Sequence, residues 1–113
     1  MSNSINFEVT QGQTWSLDIA YTDNQNNPIN ISDYTILAEV RDKPGGKILC
    51  ATSTNGDGIE MVNDGNHNRF ILTFDGAKTK NFNYPNSAYE VKVVDIEDIV
   101  IQGWFKVDAG VID

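Results

Sequence analysis

The sequence predicts an all-β chain, an antiparallel β-sandwich of about eight short strands. Three observations predict it. Apolar residues recur with a period of two in several short segments, which places them on one face of a strand. Clusters of Asn, Asp, Gly and Pro separate nearly all of these segments. No segment holds a 3.6-residue period over three turns, the pattern of an amphipathic helix.

The first strand is expected over 5–10 and is broken by Gln11-Gly12-Gln13. The second covers 14–21, with Trp15, Leu17, Ile19 and Tyr21 on one face and Ser16, Asp18 and Ala20 on the other. Residues 22–27 are polar turn formers, 28–31 a short extended piece, and Ser32-Asp33-Tyr34 a second turn. The third main strand, 35–41, turns Ile36, Ala38 and Val40 one way and Leu37, Glu39 and Arg41 the other. Pro44-Gly45 ends it, because Pro presets its own φ and Gly supplies the positive φ that follows. A strand over 47–53 returns as a hairpin.

Further strands are expected over 59–62 and 69–74, the latter with Phe70, Leu72 and Phe74 on one face. Residues 75–83 hold a single helical turn, too short and polar to matter as a helix. A strand over 87–95 alternates Tyr89, Val91 and Val93 with Glu90, Lys92 and Val94. The last, 99–107, sets Ile99, Ile101 and Phe105 opposite Val100, Gln102 and Trp104. Short strands with regular turn signals are the mark of an immunoglobulin-like (Ig-like) sandwich, with a small barrel as the alternative.

A chain of 113 residues has room for one domain, 1–113, with its core at about 5–107 between polar termini. The net charge of -8 opposes binding to a nucleic-acid backbone and to an anionic membrane surface. Solubility is the plain reading of that acidity, and a basic partner surface the sharper one. Met1-Ser2-Asn3-Ser4 has no basic region and no apolar run follows, so no leader is expected. Cys50 is the one cysteine, set in an apolar run as a buried, inert thiol in a reducing compartment.

Catalytic, cofactor and metal sites are not expected. His67 is the only histidine and lies in a polar loop, and no G-x-S-x-G nucleophile motif occurs. One His and one Cys do not make the usual zinc ligand set. Asn55-Gly56-Asp57-Gly58 and Asn63-Asp64-Gly65-Asn66 resemble calcium loops loosely, without the EF-hand spacing. Turn formation explains both, and calcium binding is the alternative. Asp95, Glu97 and Asp98 read as a solvated hairpin tip.

The candidate protein interface is a set of apolar residues on outward faces: Leu37, Val94, Val100 and Trp104. Partial covering of both faces by loops is the plainer account, and a patch for a neighbouring subunit the functional one. Trp is favoured at interface hot spots. Tyr34, Tyr84 and Tyr89 are the candidates for stacking on a sugar.

Several motifs occur in a familiar order. Gln11-Gly12-Gln13-Thr14-Trp15 precedes an alternating strand, then Tyr21-Thr22-Asp23-Asn24-Gln25-Asn26-Asn27-Pro28-Ile29. Ile31-Ser32-Asp33-Tyr34-Thr35 follows, then Val40-Arg41-Asp42-Lys43-Pro44-Gly45-Gly46. Tyr84-Pro85, Ala88-Tyr89-Glu90-Val91 and Gly103-x-Phe105-x-Val107 close the chain. From Phe7 to Val107 this resembles the small β-sandwich domain of tailed-bacteriophage virion proteins, similar to the N-terminal domain of baseplate upper proteins. Asp33 and Asn27 stand where that family has glycine, and both residue types accept turn conformations.

The resemblance implies a non-enzymatic structural component of a virion, assembled in the host cytoplasm. Its partners would be other virion structural proteins, at the tail, baseplate or neck, in multiple symmetric copies. A capsid decoration protein or a carbohydrate- or receptor-binding module on the particle surface is the alternative. No cofactor, nucleic acid or membrane is implied.

Overall fold

The computed structural model describes residues 3–54, 58–62 and 65–109. Of the two loosely calcium-like loops, Asn55-Gly56-Asp57 and Asn63-Asp64 lie outside the described residues. In chain order the elements are β1 (Asn3–Ser4), β2 (Phe7–Thr10), β3 (Trp15–Ala20), β4 (Ile36–Arg41), β5 (Ile48–Ser53), β6 (Ile59–Met61), β7 (Arg69–Phe74), α1 (Gly76–Thr79), β8 (Asn86–Val93) and β9 (Asp98–Asp108). A 3-10 turn, Val94–Ile96, joins the last two strands.

Two sheets result. The larger runs β1-β9-β8-β4-β5, with β2 also on β9, and the smaller runs β3-β7-β6. This is an all-β sandwich of the Ig-like kind, in which β3, β7 and β6 face a sheet built on β4, β8 and β9. β1 and β2 share one register on β9, Asn3 opposite Ile101 and Phe7 opposite Phe105, and are one strand interrupted at Ile5-Asn6. Counted that way, the strands among the described residues number eight. The pairing of this first strand with β9 is parallel, the one parallel ladder among the described residues.

At the interruption the two strands approach closely. Gly103 lies beside it on β9, and a Cβ there would sit 2.2 Å from the Ile5 carbonyl oxygen. The close approach is held by three hydrogen bonds. Ile5 N donates to Gln102 O at 3.0 Å, Trp104 N to Asn6 Oδ1 at 3.0 Å, and the Tyr89 hydroxyl to Ile5 O at 2.5 Å.

The core lies between the sheets. Ile36, Ala38 and Val40 of β4 and Val91 and Val93 of β8 face Phe70, Leu72 and Phe74 of β7, all buried. The alternation of these strands predicted this arrangement, because a period of two buries every second side chain. Phe105 is the centre of an aromatic cluster that spans the sheets. Its ring lies 4.9 Å from Trp15, 4.9 Å from Tyr89 and 5.4 Å from Phe82, centroid to centroid.

β9 departs from the expected alternation. Val91 is opposite Ile101 but Lys92 is opposite Ile99, so Val100 is the extra residue of a β-bulge. A bulge reverses the side-chain phase. Val100 and Ile101 are therefore both buried, and Ile99 turns out beside Lys92. Val100 was expected on the outward face and belongs instead to the core.

The segment 75–83 also corrects its expectation, because the short helix matters. Asp75 caps it by accepting from Lys78 N at 3.0 Å. Thr79 is fully buried; its hydroxyl donates to Gln13 O at 2.8 Å and accepts from Gly12 N at 3.1 Å. Gln11 Nε2 reaches Phe82 O at 2.9 Å. These bonds anchor residues 11–14, where the chain crosses from the larger sheet to the smaller. The turn before Pro28 is likewise refined: its left-handed residue is Asn26, at φ 63, and not Asn27. Asp23 Oδ1 holds it by accepting from Gln25 N and Asn27 N.

One tyrosine, Tyr21, ties the two layers together, and Tyr89 fastens the first strand within the larger sheet. The Tyr21 hydroxyl donates to Asp98 Oδ2 at 2.5 Å. Burial first, then this carboxylate, pushes the Tyr21 hydroxyl up to about 12 from 10.0. Burial pushes Tyr89 up to about 12 as well.

Three outcomes are expected. Phe105→Ala removes the ring at the centre of the cluster and should cost about 3–5 kcal/mol in urea unfolding. Gly103→Ala should cost about 1–3 kcal/mol, because Ile5 must move to admit the methyl group. Both tyrosines favour the protonated folded state, so their contribution is complete below pH 10 and falls as pH rises towards 12. A Tyr21→Phe/Tyr89→Phe variant should show a shallower alkaline loss of stability across that window.

Candidate interaction surface

The outer face of the larger sheet carries the most distinctive side chains. Its rows follow from the strand registers, since residues directly opposite share a face. One row runs Ile48, Arg41, Ala88, Trp104 across β5, β4, β8 and β9. The next runs Ala51, Glu39, Glu90, Gln102. The third is Ser53, Leu37, Lys92, Ile99. Ile48 and Trp104 end the first row, about 14 Å apart at the usual strand spacing. Their exposures are 46% and 39%, high for large apolar residues.

A tight turn builds one wall of this surface. Gly46 N donates to Lys43 O at 2.9 Å, and Gly45 takes φ 76 after Pro44. This is the turn that Pro-Gly predicts. Arg41 Nη1 binds Gly46 O at 2.7 Å and Nη2 lies 3.4 Å from Glu39 Oε1. The guanidinium thus ties the hairpin loop to the sheet. A groove of about 350 Å³ lies between the loop and β8, lined by Glu39, Arg41, Pro44, Gly45, Ala88, Tyr89, Glu90 and Lys92.

The electrostatics of the face are mixed. Glu39 and Glu90 are directly opposite, a like-charge pair that costs stability in an antiparallel ladder. Arg41 and Lys92 stand one row away on either side of it. The surface therefore offers two carboxylates between two cations, with two exposed apolar side chains, Ile48 and Trp104, at the ends of the Arg41 row.

The interface expected from sequence is only partly assembled. Leu37 and Trp104 share this face, separated by the acidic row. Val94 is 39% exposed but sits in the 3-10 turn beyond the end of β8, beside exposed Ile96. Val100 is buried, for the reason given above. Ile48 was missed. Leu49 is the extra residue of a bulge between β4 and β5, and it turns Ile48 outward opposite Arg41. Nothing in the alternation of Ile48-Leu49-Cys50 announces that bulge.

Other candidates have structural work. Asp95 Oδ2 accepts from Thr35 N at 2.5 Å and Asp98 holds Tyr21, so two of the three acids at that tip fasten the sandwich. His67 takes φ 50 and its carbonyl accepts from Ile31 N at 2.9 Å. Cys50 is half-buried against the core. Among the described residues no three His, Cys, Asp or Glu side chains gather as a metal site would need. Of the tyrosines considered for sugar stacking, Tyr89 is buried and Tyr34 packs against the core, while Tyr84 is 64% exposed.

Glu90→Gln should remove the like-charge opposition and raise stability by about 0.2–1 kcal/mol. Urea denaturation at low salt measures it, and the gain should shrink as salt rises.

No protein-family model and no curated protein matches the chain. Solved structures of similar shape include the ZIG-8 IG1 homodimer, at 15% identity and TM-score 0.45, over 93% of this chain and 79% of that one. The extracellular domain of the voltage-gated sodium channel beta4 subunit, solved as parallel homodimers, superposes at 8% identity and TM-score 0.47, over 97% of this chain and 89% of that one.

Proposed function

We propose that the chain is a non-enzymatic structural component of a bacteriophage virion, a tail, baseplate or neck subunit. It binds neighbouring virion proteins through the outer face of the larger sheet, in multiple symmetric copies. The observation that carries the binding role is the row from Ile48 to Trp104, whose ends are large, apolar and exposed. The assignment to a virion rests on the order of turn and strand motifs from Gln11 to Val107. The groove beside the row has two carboxylates and two cations on its lining, enough to orient a partner by charge.

Surface decoration or carbohydrate binding is the second reading. Tyr84, 64% exposed, favours it as a stacking platform. A glycan array separates the two, because only this reading expects hits that Tyr84→Ala removes.

Cryo-electron microscopy of particles from the encoding source tests the main reading. Symmetric copies at the tail or neck, with Trp104 buried against a neighbour, are expected. Particles without this β-domain overturn the assignment. Trp104→Lys should leave the melting temperature within a few degrees and lower incorporation at least tenfold, since interface aromatics carry about 2 kcal/mol or more.

A further inference from the structure

Sheet edges expose unpaired backbone groups, and natural proteins blunt them with bulges, Lys, Pro or short length. Among the described residues, three of the four edges are blunted. β5 has a bulge at Leu49 and Lys47 before it. β6 is 3 residues long. The edge formed by β1 and β2 is interrupted at Ile5-Asn6. The fourth edge, β3, is a 6-residue strand with unbroken register on β7 and no Pro, Gly or Lys.

The direction of its free groups can be read from the ladder. Tyr21 N donates to Asn68 O at 2.8 Å, and Thr73 N turns the other way, to Gly58 O at 2.7 Å. Antiparallel ladders alternate, so Trp15, Leu17 and Ile19 direct their backbone groups to β7. Ser16, Asp18 and Ala20 direct theirs to the open edge, and all three are exposed. Leu17 and Trp15 point into the sandwich but are only half-buried, whereas Leu72 opposite Leu17 is fully buried. The edge is therefore open both to hydrogen bonds and to apolar cover.

We propose that β3 pairs antiparallel with β3 of a second copy of this chain, about a twofold axis at Leu17. The two smaller sheets become one continuous sheet. Directly opposite residues must share a face, so Leu17 meets Leu17, Trp15 meets Ile19, and Ser16 meets Asp18 across the axis. Charge rules out the neighbouring register about Asp18, and the axis at Leu17 centres the pairing on the half-buried apolar residue. An axis at Asp18 sets two carboxylates against each other, while an axis at Leu17 gives each carboxylate a serine hydroxyl. The half-buried Leu17 and Trp15 gain the cover they lack. Asp18 keeps its own bond to Arg69, at 2.7 Å, within each copy.

The pairing uses the smaller sheet and is independent of the proposed role of Trp104. Sedimentation equilibrium of the intact chain should show a monomer–dimer equilibrium. Trp104→Lys should leave it unchanged, and Ser16→Pro, which removes an edge N–H, should raise the dissociation constant at least tenfold. Amide exchange at Ser16, Asp18 and Ala20 should slow as concentration rises. Leu17→Cys in a Cys50→Ala background should cross-link to itself on mild oxidation, an independent reading should the proline variant unfold. A monomer at all concentrations with fast exchange at these amides overturns the proposal, as does a dimer that folded Ser16→Pro leaves intact.

Discussion

The parallel pairing of the first strand with β9 is the constraint on which the rest of the structure depends. It draws residues 3–10 to the larger sheet and obliges the chain to cross to the smaller sheet within residues 11–14. The crossing requires a left-handed glycine, Gly12 at φ 85, and an anchor, the buried Thr79 hydroxyl. It requires room at Gly103, where the Ile5 carbonyl approaches within a distance no side chain permits. Among the described residues it also leaves β3 without a strand on its outer side. The same strand that closes the larger sheet opens the edge of the smaller one.

The aromatic cluster makes this arrangement cohesive. Phe7 comes from the first strand, Trp15 from β3, Phe74 from β7, Phe82 from the segment after α1, and Phe105 from β9. Phe7 reaches Trp15 at 5.2 Å and Tyr89 at 5.8 Å between ring centroids. Edge-to-face and tilted pairs such as these add about 0.5–1.5 kcal/mol each beyond the area they bury. The tyrosine hydroxyls then meet polar partners at the margins, Tyr89 at Ile5 O and Tyr21 at Asp98. A buried hydroxyl without such a partner costs about 1–3 kcal/mol, so the positions of Ile5 and Asp98 are as determined as those of the rings.

The surface divides along the same lines. The larger sheet exposes Ile48 and Trp104 at the ends of one row, beside a row of opposed carboxylates. The smaller sheet exposes, besides polar side chains such as Asp18 and Arg69, the backbone groups along its β3 edge. Contacts of the first kind select a partner by shape and charge, and contacts of the second kind extend a ladder with little regard to sequence beyond alternation.

Strand positions and the inward faces of β3, β4, β7 and β8 were legible in the sequence, because a period of two is a local property of the chain. The Pro44-Gly45 turn was legible for the same reason: its conformations are dictated by the two residues themselves. Leu37 and Trp104 lie on the outer face of the larger sheet, and Val94, expected on a strand, is exposed in the 3-10 turn after β8. Val100 was misread and Ile48 was missed, since each owes its direction to a β-bulge, and a bulge is a mismatch between two strands that neither strand encodes alone. Thr79, Asp95 and Asp98 looked like ordinary polar loop residues. Their partners lie 60 residues or more away in the chain, at Gln13, Thr35 and Tyr21, so only the closed sandwich assigns them a role. By itself the sequence determined which segments are strands and which side chains they bury. The tertiary structure alone decided which strands are neighbours, which edge stays open, and which outward residues share a face, because these depend on pairings between segments far apart in the chain.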